Sequence, residues 1–172
     1  DHMLGPRGGA FVVAQTRLWE RRPADSDFVV ARMGLGPLRL ATPLRPASTA
    51  PIEDLEPLSA LALRRFVTTY AVVRDLPVAV ALRGFARVHV CGDVGRARDL
   101  VRALIAQSVA FHAPGDVLVA GCYSAANAPL WEWLKWLPHA LHPEKNDALG
   151  PARLMGRSAG ALEKLLDDVL AN

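Results

Sequence analysis

The sequence predicts an α/β fold in which a mainly parallel sheet lies between layers of helix, preceded by a β-hairpin and a helix. Three observations lead there. From Val88 onward, short β-favouring runs alternate with helical periodicity in the order β-α-β-α-β-α, as in parallel sheets with helices on both faces. Val117 to Cys122 is almost wholly apolar, as expected of a strand buried on both faces. Gly92-Asp93-Val94-Gly95 ends one β-favouring run and opens a helix, the place where such folds put ligand loops.

Asp1-His2-Met3 reads as a cloning remnant, and residues 1–16 as a lead-in with no secretory signal. Residues 4–27 are weakly patterned, and Trp19 is followed by the polar stop Glu20-Arg21-Arg22-Pro23. Phe28 to Met33 and Leu38 to Thr42 predict the two strands of a hairpin, turning at Gly34-Leu35-Gly36-Pro37. Pro43, Pro46 and Pro51 mark a connector. Residues 17–56 thus read as hairpin and connector, and 57–172 as the α/β domain.

That domain begins with a helix. Pro57 suits its first turn, and Leu58, Leu61, Ala62, Phe66, Val67 and Tyr70 keep a helical period, with Arg64 and Arg65 on the other face. Asp75-Leu76-Pro77 should end it. Val78 to Leu82 and Arg87 to Cys91 read as short strands. The next helix, from about Arg96 to His112, has the apolar stripe Ala97, Leu100, Val101, Leu104, Ile105 and Val109. Pro114-Gly115-Asp116 is a turn. A helix over Pro129 to Leu137, a loop over 138–151, a short strand at Arg153 to Met155 and a final helix capped by Ser158 complete the reading. Doubly wound sheets carry about five or six strands. The alternating part supplies fewer, so the domain reads as truncated, or as completed by the N-terminal strands.

Composition narrows the function classes. The 172 residues are 51% hydrophobic, which excludes a disordered chain. Two cysteines exclude a disulfide scaffold, and Cys91 and Cys122, in apolar runs, read as buried thiols of a reducing compartment. The longest apolar runs fall far short of the roughly 20 residues of a membrane span. Net charge is +3, split as +5 over residues 1–102 and −2 over 103–172, and 17 of the 20 basic residues are Arg. Aromatic residues do not interleave with a basic run, so no nucleic-acid partner is expected.

The loop Gly92-Asp93-Val94-Gly95-Arg96-Ala97-Arg98-Asp99 carries the most chemistry. Glycines there let backbone N–H groups converge on an anion, and the helix start adds positive potential. A hydrolytic phosphate loop also needs GxxxxGK[ST]. Counted from Gly92, Ala97 stands for the second Gly, Arg98 for the Lys and Asp99 for the Ser/Thr, and none of the three fits. The place is that of a P-loop NTPase-like three-layer sandwich, while the chemistry is missing. Three readings stay open: a tight turn only, a weaker anion or nucleotide site using Arg96 or Arg98, and a working ATPase.

Elsewhere the signals are weaker. Trp131, Trp133 and Trp136 read as core, with one of them a candidate cap on a docking surface. His139 and His142 lack Cys or Glu partners at zinc spacing, so no metal ligands are assigned. Ser124 is not in a nucleophile elbow, Glu132 and Asp147 read as solvated, and no catalytic residue is assigned.

Three stretches together resemble the EccC family, the membrane-anchored FtsK/SpoIIIE-type ATPases of actinobacterial type VII (ESX) secretion. They are LWERRPADSDFVVARMGLGPLRLATPL, PLSALALRRFVTTYAVVRDLPVAVALRGFARVHVCGD and LWEWLKWLPHALHPEKNDALGPARL. The resemblance spans residues 17–171 and falls on the cytoplasmic ATPase-like domain of unknown function before the first ATPase module. It implies a multidomain, hexameric parent on the cytoplasmic face of the inner membrane. Downstream ATPase domains of the same chain and other secretion-complex subunits would be its partners. ATP and Mg would belong to the parent, with no cofactor in this segment. GDVGRARD matches the family's degenerate phosphate loop. The expectation is a non-hydrolytic coupling domain. The alternatives are a nucleotide-binding regulatory domain of the same motor and, from another class, a small stand-alone α/β enzyme.

Overall fold

The computed structural model describes residues 17–45 and 57–170. The lead-in expected over 1–16 and the connector residues 46–56 lie outside them. The described residues group into two units, one of 17–31 with 81–170 and the other of 32–45 with 57–80.

The second unit holds helix α1 (Pro57–Tyr70) and most of strands β1 (Val30–Arg39) and β2 (Val72–Ala81), of which Val30, Ala31 and Ala81 belong to the first unit. β1 and β2 form a two-stranded sheet. The N–H of Leu40 donates to the carbonyl of Ala71 at 3.1 Å. The hairpin expected within 28–42 is therefore replaced by one continuous strand paired with a distant one. Of the glycines that suggest a turn, Gly36 serves close approach instead, since a Cβ there would stand 3.0 Å from Val78 Cγ2, while one on Gly34 would meet nothing within 4 Å. Asp75-Leu76-Pro77 does not end α1. It lies inside β2, with Asp75 at φ 59°. Helix α1 exposes Leu58, Leu61, Phe66 and Tyr70.

The first unit is built on helix α2 (Val94–Phe111), which starts two residues before the expected position. Leu104, Gln107 and Phe111 are its buried face, spaced three and four apart as one helical stripe requires. Strand β3 (Gly121–Cys122) follows, then a 3-10 turn, helix α3 (Ala128–Trp131) and two further 3-10 turns. The single helix expected over 129–137 is thus a short helix passing into a 3-10 segment, Glu132–Trp136. Residues 138–151, expected as a loop, hold β4 (Leu141–Asp147), which pairs antiparallel with β5 (Gly150–Arg153). β6 (Met155–Gly156) pairs parallel with β3, Gly121 beside Met155 and Cys122 beside Gly156. Helix α4 (Ala159–Leu170) is the last described element, and the N–H of Ala161 donates to Ser158 Oγ, the expected cap. α4 crosses β6 so closely that a Cβ on Gly156 would meet the Leu162 backbone nitrogen at 3.0 Å.

The fold is α/β, and the described residues include the parallel β3–β6 pair and a parallel bridge between Arg21 and His112. Among the described residues the sheets are three separate two-stranded pairs, not one broad parallel sheet. Val88 to Cys91 joins none of them. Its alternation dictates an extended chain, and alternation alone supplies no partner for the backbone groups. Val117 to Cys122 pairs only at its last two residues and is half-exposed, so it is not the doubly covered strand expected. Cys91 and Cys122 are exposed free thiols rather than buried ones. The core of this unit contains Leu134, Ala140 and Leu154 with Phe111, and also His112, His139 and His142.

Candidate functional site

The loop singled out by sequence is the head of α2. Gly92 has φ 132°, a backbone that favours glycine, and this lets the extended run before it turn into the helix. Asp93 is the N-cap. Its Oδ1 accepts the Arg96 N–H at 2.9 Å, and its carbonyl accepts the Ala97 N–H at 2.8 Å. A carboxylate of the chain itself thus takes the position at the helix start that an anion would seek. Gly95 lies against that carboxylate, where a Cβ would be 3.2 Å from Asp93 Oδ1. Val94 is 70% exposed, and Gly92, Asp93, Gly95, Arg96 and Asp99 are exposed as well, while Arg98 is half-buried.

Asp99 turns toward Arg102, with Oδ1 3.5 Å from Nη1. Arg102 Nη2 donates to the Leu130 carbonyl at 2.9 Å, and its guanidinium stands 5.7 Å from the Trp131 ring. Arg102 therefore ties the loop's last residue to the tryptophan segment. Sequence reading missed it, although the Asp99-x-x-Arg102 spacing of a helical ion pair was the available signal. The three tryptophans separate. Trp131 and Trp133 are half-buried, while Trp136 is 76% exposed beneath the Lys135 ammonium at 5.5 Å.

The far end of α2 is more densely bonded. Trp19 Nε1 donates to the Val109 carbonyl, the Trp19 N–H to Ala110, and the Arg21 N–H to Phe111. The Arg21 guanidinium covers the Phe111 ring at 4.4 Å, pairs with Asp27 at 2.9 Å and donates to the Val30 carbonyl at 2.7 Å. His112 is 1% exposed. Its Nδ1 lies 2.7 Å from the Ser108 carbonyl and so donates, and its Nε2 accepts the Val29 N–H at 2.9 Å. His139 Nε2 donates to the His112 carbonyl at 2.8 Å, and its Nδ1 is buried without a hydrogen bond. Burial holds the His139 pKa below the ordinary 6.5. His142 Nε2 donates to the Leu165 carbonyl, and its Nδ1 accepts the N–H groups of Glu144 and Lys145. His139 and His142 thus face different backbone partners, and no cluster of three or more His, Cys, Asp or Glu suited to a metal occurs among the described residues.

Comparison with known proteins places this geometry. The ESX secretion system protein EccC of Thermomonospora curvata is 52% identical over 155 residues, which is 90% of this chain and 12% of that protein. The chain is homologous to a segment of EccC. The ESX-4 secretion system protein EccC4 of Mycobacterium tuberculosis is 38% identical over 90% of this chain and 12% of its own length. The ESX-1 secretion system protein EccCa1 of the same species is 35% identical over 90% of this chain and 22% of its own length. No protein-family model matches the sequence. This EccC-like segment therefore spans only about an eighth to a fifth of its relatives, and no described helix is long and apolar enough to cross a membrane.

Proposed function

We propose that this chain serves type VII protein secretion as a degenerate, non-hydrolytic, ATPase-like segment of an EccC motor. It couples the membrane-anchored part to downstream ATPase domains through protein contacts. The observation that carries the reading is the Asp93 carboxylate bonded to the Arg96 N–H at the head of α2, in a chain homologous to EccC. Mg-ATP fits these residues poorly. A phosphate would have to displace an attached carboxylate, Arg98 stands where a Lys would reach the outer phosphates, and Asp99 stands where a hydroxyl would meet the metal. The order of an extended run, a glycine turn, a long helix and a parallel pairing supports descent from a P-loop NTPase-like sandwich. The parent motor is a hexamer at the cytoplasmic face of the inner membrane, and other secretion subunits are its partners.

Secretion by a full-length EccC carrying this segment in place of its own tests the reading. Gly95→Asp should leave secretion unchanged, because no nucleotide uses the loop. Trp136→Ala should lower it several-fold at unchanged protein level, because an exposed aromatic beneath a cation is a contact surface. Secretion abolished by Gly95→Asp and untouched by Trp136→Ala would favour the nucleotide-binding regulatory reading instead.

A further inference from the structure

The protein-contact reading leaves the far end of α2 unused, and a strained residue is held there. Val29 has φ 56°, a left-handed backbone that a β-branched side chain rarely adopts. Two hydrogen bonds hold it. Its N–H donates to His112 Nε2 at 2.9 Å, and its carbonyl accepts the Leu82 N–H at 3.0 Å. Val29 immediately precedes β1 and Leu82 immediately follows β2, so this pair of bonds closes the point where the chain leaves the first unit and returns to it.

We propose that His112 is a protonation-sensitive latch on the strained backbone at Val29. The latch works in only one protonation state. Nδ1 must carry the proton that meets the Ser108 carbonyl, which leaves Nε2 bare to accept from Val29. A second proton on Nε2 would point N–H at N–H. The Val29 bond is then lost, and the strained backbone can relax toward an ordinary extended conformation.

The surroundings make this a local event. The Phe28 ring meets the imidazole edge-on at 5.0 Å, and Arg83 lies over the Phe28 ring at 6.0 Å. His139 approaches through its bond to the His112 carbonyl. The segment bridged to His112 contributes Arg21, with Asp27 as its partner. The turn after His112 contributes Asp116, which pairs with Arg22 at 3.5 Å. No carboxylate forms an ion pair with His112 among the described residues, so a second proton there finds no counter-charge. Opening the latch removes the direct hydrogen bond between the Val29 backbone and His112. The bonds of Trp19 and Arg21 to Val109, Ala110 and Phe111 do not involve His112 side-chain atoms and can remain.

Amide hydrogen exchange read by NMR on the whole chain at pH 7.5 and pH 5.0 tests the latch, after correction for intrinsic exchange. The Val29 amide should lose at least tenfold of its protection at pH 5.0, while Ala97 and Leu104 in α2 keep theirs. In His112→Gln the Val29 protection should be the same at both pH values. His139→Asn should keep the wild-type response, which separates the two histidines. Val29→Gly, which adopts φ 56° without strain, should open less at pH 5.0 than wild type. If His112→Gln does not fold, imidazole nitrogen shifts of the wild type decide: a proton on Nδ1 alone at pH 7.5 is required, and a proton on Nε2 alone overturns the latch. Equal Val29 protection at both pH values overturns it, as does simultaneous loss across all of α2. A response that survives in His112→Gln does the same.

Discussion

The two ends of α2 differ in a way that separates motif from architecture. Its N-terminal end carries the glycines and the loop position of a phosphate cradle, yet it is exposed and capped by its own Asp93. Its C-terminal end has no motif, yet Phe111 and His112 are buried there and the 19–30 stretch is bonded to them. Glycines and a helix start bind an anion only when the N–H groups are left open for it. Here the chain's own Asp93 carboxylate takes the Arg96 N–H, and its cohesion lies at the other end.

That contrast can be pressed by substitution. Phe111→Ala removes a ring that is 2% exposed and stacked under Arg21, and it should cost about 3–5 kcal/mol in urea unfolding. If it costs as little as a surface change, the C-terminal end is not the anchor. His112→Ala leaves the Val29 N–H without its acceptor and should cost about 1–3 kcal/mol by the same measurement. Asp93→Ala at the opposite end removes only a cap and should cost about 1 kcal/mol. A larger loss for Asp93→Ala than for His112→Ala would invert the comparison.

Acid should act on the buried end by a smaller increment. The folded His139 resists protonation, because burial lowers its pKa from 6.5, so the unfolded chain takes up the proton first. The His139 contribution is therefore full above pH 6.5 and declines as pH falls below it, until the folded imidazole is itself protonated. Urea midpoints at pH 7.5, 6.5 and 5.5 should drop in that order, and His139→Asn should flatten the drop.

Legibility from sequence followed the range of the interactions. Helices α2 and α4 were readable because an apolar stripe and a Ser158 cap are local signals. The start of α2 was set two residues late because Gly92 to Asp99 was compared with a phosphate loop, in which Asp99 was the misplaced carboxylate, and Asp93 was not weighed as a cap. Strand partners were not readable. Gly34, Gly36 and Pro37 are turn residues by habit, but here Gly36 makes room for Val78, forty-two positions on. The β4–β5 hairpin hid in a stretch of prolines and charges that lacks strand alternation. His112 carried no spacing signal at all, since its acceptor role depends on Val29, 83 positions away in sequence. The exposed Trp136 was foreseen only as one of three candidates, because periodicity assumed one regular helix where a 3-10 segment formed.

The most direct test of the central claim is calorimetric titration of Mg-ATP into the whole chain, wild type beside Asp93→Ala and Gly95→Asp. The account predicts no binding heat for wild type up to millimolar nucleotide, since Asp93 already occupies the helix start. Micromolar binding by wild type that Gly95→Asp abolishes would contradict it and make the loop a working nucleotide site.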